Sequence, residues 1–224
     1  MKIKVIIFFI LILKSQFVLA DKVINTNHFN KQFYVSLPEK FCDVTTEYIG
    51  TFFKQILDKT RKKNPILPVA KIISAPCDRT ENYDGYPWGW FGINKAGKYF
   101  TNQKQYNAAI AKLLDNQDAL DAISKWGNKN SSKMLRDFGM KGKFDKLEKP
   151  KILWADEDSV TYMLINSGSV NSVKIDEYVV MSSTYSNGFI LTTYVYTLNN
   201  LKLSLKEIIS SVINNSAMIK DLNQ

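Results

Sequence analysis

The stretch VKIDEYVVMSSTYSNGFILTTYVYTL, residues 173–198, followed by SLKEIISSVI at 204–213, decides the reading of this chain. Asn187-Gly188 is a strong hairpin signal, because a type I′ turn needs positive φ at both central residues. β-Branched and aromatic runs flank it, Tyr178-Val179-Val180 before and Phe189 to Leu198 after. A two-residue turn sets Ser186 opposite Phe189 and Tyr185 opposite Ile190. It then pairs Met181 with Tyr194 and Val179 with Tyr196 on one face, and Val180 with Val195 on the other. Both faces read as mostly apolar, as a covered sheet requires. Ser204 to Glu207 spells a capping box. It opens a helix whose apolar positions are Leu205, Ile208, Ile209, Val212 and Ile213.

The other end of the chain reads as a targeting segment. Lys2 and Lys4 precede an apolar run from Val5 to Leu13, too short to span a bilayer. Val18-Leu19-Ala20 has the small-x-small spacing of a signal-peptidase site. The expectation is a signal peptide over 1–20, a mature start at Asp21, and a periplasmic or extracellular protein without a transmembrane segment. Removing Lys2, Lys4 and Lys14 from the formal charge of +9 leaves +6, from 27 basic and 21 acidic residues. That surplus favours an envelope protein or anionic surface as partner and does not single out nucleic acid.

Cys42 and Cys77 are the only cysteines. In an exported chain an even count reads as one disulfide. It closes a loop of about 36 residues, worth about 4 kcal/mol in the chain-entropy account. The competing reading pairs a cysteine nucleophile with the single histidine, His28.

Between these ends the pattern alternates. Residues 21–31 are polar and read as loose. Gln32 to Leu37 is a strand stopped by Pro38. A helix capped by Asp43 or Thr45 carries Ile49, Phe52, Phe53, Ile56 and Leu57 on one face, with cations at its C-terminal end. Strands are predicted over 69–75 and 86–93. A helix beginning at Thr101 is interrupted at 115–118 and resumes to Trp126, with Gly127 as its C′ residue. Residues 128–150 hold seven Lys or Arg and three acids without apolar period, and read as a basic loop or insertion. A hairpin around Asp156-Glu157-Asp158 joins 151–155 to 160–165, and 166–172 is a Ser/Asn/Gly-rich connector. The result is one α+β domain over 21–224, a mainly antiparallel sheet with N-terminal and C-terminal helices packed on it.

Tyr34-Val35-Ser36-Leu37-Pro38, the helix after Phe41-Cys42, and the final Asn-Gly hairpin with its helix together resemble the PsbP/Mog1-like α-β-α sandwich, among exported bacterial proteins of unknown function. The resemblance spans about half the mature chain. It implies a non-enzymatic binding or accessory role.

Three groups are candidates for function. Tyr83, Tyr86, Trp88, Trp90 and Phe91, interleaved with glycines, make either a platform for a sugar or peptide or a core strand. Lys133, Arg136, Lys141 and Lys143 in the basic loop make either an adhesive patch or a solvated run. Asp156, Glu157 and Asp158 make either a calcium seed or a solvated turn. The sequence has no G-x-S-x-G, P-loop, dinucleotide fingerprint or H-E-x-x-H, and no His/Cys set for a metal, so no cofactor is expected. The expected function is therefore a non-enzymatic envelope-binding protein, with binding by Tyr86, Trp88, Trp90 and the basic loop. The alternative is a carboxylate-pair hydrolase of carbohydrate or peptidoglycan. A structural accessory subunit, marked by an exposed apolar patch, is a third reading.

Overall fold

A computed structural model describes residues 23–63, 67–79, 86–96, 99–122, 124–125, 141–170, 172–198 and 204–224. The expectations for the signal peptide, for Tyr83, for Trp126 and Gly127, and for Lys133 and Arg136 lie outside the described residues.

The chain begins with a hairpin, β1 (Val23–His28) and β2 (Lys31–Ser36). Residues 23–28, read as loose, therefore form a strand, paired residue for residue from Val23↔Ser36 to His28↔Lys31. Phe29 and Asn30 turn the chain with φ of 49° and 58°. This is the hairpin-turn geometry that Asn-Gly usually supplies, here built without glycine.

There follow β3 (Phe41–Asp43), α1 (Tyr48–Lys63), β4 (Val69–Pro76), β5 (Trp88–Lys95) and α2 (Gln103–Asp115). After them come β6 (Gly142–Leu147), β7 (Lys151–Ala155), β8 (Val160–Val170), β9 (Val173–Ser186), β10 (Phe189–Leu198) and α3 (Leu205–Leu222). One antiparallel sheet runs β3-β4-β5-β10-β9-β8-β6, with β7 also on β8. The β9–β10 register is the one expected from the turn, including Met181↔Tyr194 and Val180↔Val195. Ser204 Oγ accepts from Glu207 N at 3.2 Å, while Glu207 Oε2 accepts from Ser204 N at 3.0 Å, so the capping box is formed.

The fold is thus α+β, with α1 and α3 on opposite faces. On one face α3 and the β1–β2 hairpin bury Phe33, Val35, Phe91, Val180, Leu191, Val195, Ile208 and Val212. On the other, Ile49, Phe53 and Leu57 of α1 pack over Val44, Ile73, Trp88 and Trp90. Asn223 locks the first hairpin to the end of the chain. Its side chain accepts from Tyr34 N at 2.9 Å and donates to the carbonyls of Tyr34 and Ile219 at 2.7 Å each.

Several boundaries differ from expectation. Asp43 does not cap α1; its carboxylate accepts from Thr45 N at 2.8 Å, while Thr45 Oγ1 accepts from Ile73 N at 2.9 Å. Asn102, not Thr101, caps α2, with its side chain accepting from Gln105 N. The basic loop at 128–150 is not all loop, since its second half is β6 on the sheet edge. The connector at 166–172 is mostly strand, because β8 runs on to Val170 and pairs with β9 throughout. Here cross-strand pairing outweighs weak β-propensity. Toward the Asn187-Gly188 turn the face under α3 mixes hydroxyls with the buried Phe189 and Leu191. Thr161 and Ser182 hydroxyls meet at 2.7 Å, and Asn215 Nδ2 donates to Thr193 Oγ1 at 3.2 Å.

Candidate functional site

Strand alternation places Trp88 and Trp90 of β5, Glu177, Val179, Met181 and Ser183 of β9, Tyr194 and Tyr196 of β10, and Tyr162 and Asn166 of β8 on one face of the sheet. Their registered neighbours bring these side chains into a continuous aromatic and hydroxyl-rich field. Trp88 is sandwiched between Phe53 of α1, with centroids 4.0 Å apart, and Tyr196, 4.4 Å away. Trp90 stacks on Tyr194 at 4.0 Å. Both tryptophans are buried. Their ring faces are thus taken by the protein, and the platform expected from Trp88 and Trp90 is instead part of a core. Gly89 and Gly92 serve close approach. A Cβ on Gly89 would lie 2.6 Å from the Tyr194 carbonyl oxygen, and one on Gly92 would lie 2.6 Å from the Trp90 ring.

Glu177 is the polar centre of this face. It is 7 % exposed and is the only buried carboxylate among the described residues. Tyr86 Oη donates to its Oε1 at 2.7 Å, and Asn166 Nδ2 donates to its Oε2 at 3.0 Å. Burial pushes its pKa up, because the charged form has lost water; the two hydrogen bonds work against that shift. Tyr106, Tyr162, Tyr194 and Tyr196 are held in the phenol form for the same reason. The rings of Tyr162, Tyr194 and Tyr196 keep part of their area open, while their hydroxyl ends are enclosed. Trp90 Nε1 donates to Tyr196 Oη at 3.5 Å, and the Ser183 and Thr192 hydroxyls bond to each other at 3.0 Å. An acid pushed toward its neutral form, set among phenols, makes the face a field of hydrogen-bonding groups.

Gln103 was not legible in the sequence as anything but a helix residue. Its buried amide donates to Ser183 O at 3.3 Å and accepts from Tyr185 N. It thereby substitutes for a neighbouring strand beyond Val160, where β8 begins and β9 continues past it. Glu177 was equally hidden, because an acid inside a strand gives no signal until the register is known.

The structure does not assemble the rest of the expected site. Lys141 and Lys143 lie at the start of β6, separated from β5 by β10, β9 and β8. Four strand spacings separate them by about 19 Å across the sheet alone, and Lys143, opposite Ser169, is also displaced along β8 from Leu164 and Tyr162, which lie level with Trp88 and Trp90. Lys143 pairs with Asp145 at 2.8 Å on the exposed edge. Of the expected residues, Tyr86 meets Glu177 and Trp90 meets the Tyr196 hydroxyl in the face. Cys42 and Cys77 form a disulfide, which removes the cysteine-nucleophile reading. His28 packs instead on Phe29, 4.3 Å away. Asp156 spends its oxygens on the β7–β8 turn, accepting from Asp158 N, Ser159 N and Trp154 Nε1 at 3.0, 2.8 and 2.7 Å. This answers the calcium reading of 156–158.

No family model matches the chain. No curated protein matches it. Among solved structures it is similar to the solution structure of cyanobacterial PsbP (CyanoP) from Synechocystis sp. PCC 6803, at 9% identity and a TM-score of 0.40. The match covers 87% of this chain and 91% of that one. A similarity of this size carries no argument about role. Among the described residues no helix is long and apolar enough to cross a membrane.

Proposed function

We propose that the protein is a non-catalytic binding or accessory protein of an exported compartment, periplasmic or extracellular. The observation that carries the reading is how the one chemically distinctive side chain is used. Glu177 is enclosed, hydrogen-bonded at both oxygens and pushed toward its neutral form. A glycoside hydrolase needs a second carboxyl group facing the first across a cleft. None of the other described acids is buried with Glu177. The disulfide supports the compartment, since such bonds persist where the medium is oxidising.

The alternative, a carboxylate-pair hydrolase, keeps one supporting observation. Burial shifts Glu177 in the direction a general acid needs. Reducing-end release from peptidoglycan and chitooligosaccharides separates the two. The proposal expects no release. Release by the wild type that disappears in Glu177→Gln would establish the alternative. For the compartment, mass spectrometry of protein recovered from the medium or periplasm is expected to give Asp21 as the N-terminus. Retention of Met1 in the mature product would overturn it.

A further inference from the structure

The end of the sheet where the Phe29-Asn30 and Asn187-Gly188 turns meet has a composition that neither the sheet face nor the basic loop accounts for. Phe29, at the tip of β1–β2, is 63% exposed. Beside it lies the Asn187-Gly188 turn, tied in because Lys31 Nζ donates to Asn187 O at 3.5 Å and Ala96 N donates to Gly188 O at 2.9 Å. Cations surround the aromatic tip. Lys95 Nζ sits 5.8 Å from the Phe29 ring centre, and Lys31 Nζ sits 5.3 Å from that of Phe189. Lys71 Nζ donates to Asn27 O at 2.6 Å, two residues from the tip. Arg61, at the end of α1, donates to Leu67 O at 3.2 Å. Among the described residues none of Lys31, Lys71, Lys95 and Arg61 is paired with a carboxylate.

The positive field there is felt by its own members. His28 is held below its ordinary pKa by burial and then by Lys71 and Arg61; Lys71 is lowered by burial and then by Lys54. Lys54 is itself paired with Asp58 at 3.2 Å. Like charges this close favour an anionic partner that neutralises them.

We propose that this end of the sheet docks on an anionic lipid bilayer, with the Phe29 ring entering the headgroup layer and Lys31 and Lys95 against lipid phosphates. Lys71 and Arg61, half-buried behind the tip, add to the attraction. Two features favour a bilayer over a soluble anion. Lys31 and Lys95 sit over two different rings, Phe189 and Phe29, whose centres are 6.3 Å apart. The hairpin tip is an aromatic ring 63% exposed, which suits an interface that is wet on one side and apolar on the other. The inference concerns a surface apart from the Glu177 face and stands whether or not that face binds anything.

Vesicle co-sedimentation tests it, with the full chain used throughout so that residues 1–20 are common to every sample. The partners are vesicles of phosphatidylcholine alone and vesicles containing about one-third phosphatidylglycerol, at low and at high salt. The expected result is tighter binding to the phosphatidylglycerol vesicles, weakened by salt. The double variant Lys31→Glu, Lys95→Glu is expected to lose about 25-fold or more of that affinity, taking about five-fold per lysine charge. Phe29→Ala is expected to lose about ten-fold. In Phe29→Trp, the added emission is expected to move to the blue on phosphatidylglycerol vesicles and to be quenched by brominated acyl chains. Equal binding to both vesicles would overturn the proposal. So would full binding by Phe29→Ala with an unshifted Phe29→Trp signal, or displacement by inorganic phosphate at matched ionic strength, since either describes a bare anion site.

Discussion

Replacing Glu177 by Gln tests the energetics of the sheet face directly. The carboxyl is buried and its pKa lies above 4.5, its ordinary value. The native state therefore binds more protons than the unfolded chain as pH rises from that value. Stability is greatest below the unfolded pKa and falls as pH climbs through the folded one, by at most about 1.4 kcal/mol per pH unit for a single group. Above the folded pKa the loss is complete. Gln cannot ionise, and it still accepts from Tyr86 and meets Asn166 once the Asn166 amide turns. The variant is thus expected to lack this descending limb and to be the more stable protein at neutral pH. Glu177→Ala is the contrast. It strands Tyr86 Oη and Asn166 Nδ2, at about 1–3 kcal/mol for each group left unpaired. The assay is urea unfolding followed by circular dichroism from pH 4 to 8, reading the difference between wild type and Glu177→Gln so that other titrating groups cancel. Parallel curves for the two proteins would refute the claim that Glu177 carries a burial penalty.

Cys42→Ser with Cys77→Ser is expected to lower stability by about 2–5 kcal/mol in chemical denaturation, and wild type unfolded in reductant should match the variant. Asn223→Ala frees the Tyr34 N–H and two carbonyls, so a loss of about 2–4 kcal/mol is expected. Hydrogen exchange should show β1 and β2 losing protection before the central strands. Asp156 feels burial upward, but the hydrogen bonds from Trp154, Ser159 and Asp158 together hold its pKa below the usual value. Its contribution is therefore present above the unfolded pKa and fades as pH falls; thermal melts of Asp156→Ala should show a loss at pH 7 that shrinks toward pH 3.

The sequence by itself determined several features whose signal is local. Asn187-Gly188 set a turn, and with it the register of β9 on β10 down to Val179↔Tyr196, because side chains alternate with a period of two and a slip reverses every one. Ser204 and Glu207 set the start of α3, since both partners of a capping box lie within four residues. The Cys42–Cys77 pairing followed from having only two cysteines. Tertiary structure decided what depends on partners far along the chain. The first hairpin carries polar β1 residues and a Phe29-Asn30 turn without glycine, and it is held by Asn223 from the other end. β6 and the end of β8 are strands because each offers the other a ladder, whatever their propensity. Trp88 and Trp90 had two readings because burial is not written in a strand's own letters. Phe53 on α1 and Tyr194 and Tyr196 on β10 closed over them. Glu177 and Gln103 became distinctive only when folding removed water from them. A buried polar group takes its character from what replaces the water, and two of those replacements, Tyr86 for Glu177 and Ser183 for Gln103, lie 91 and 80 positions away.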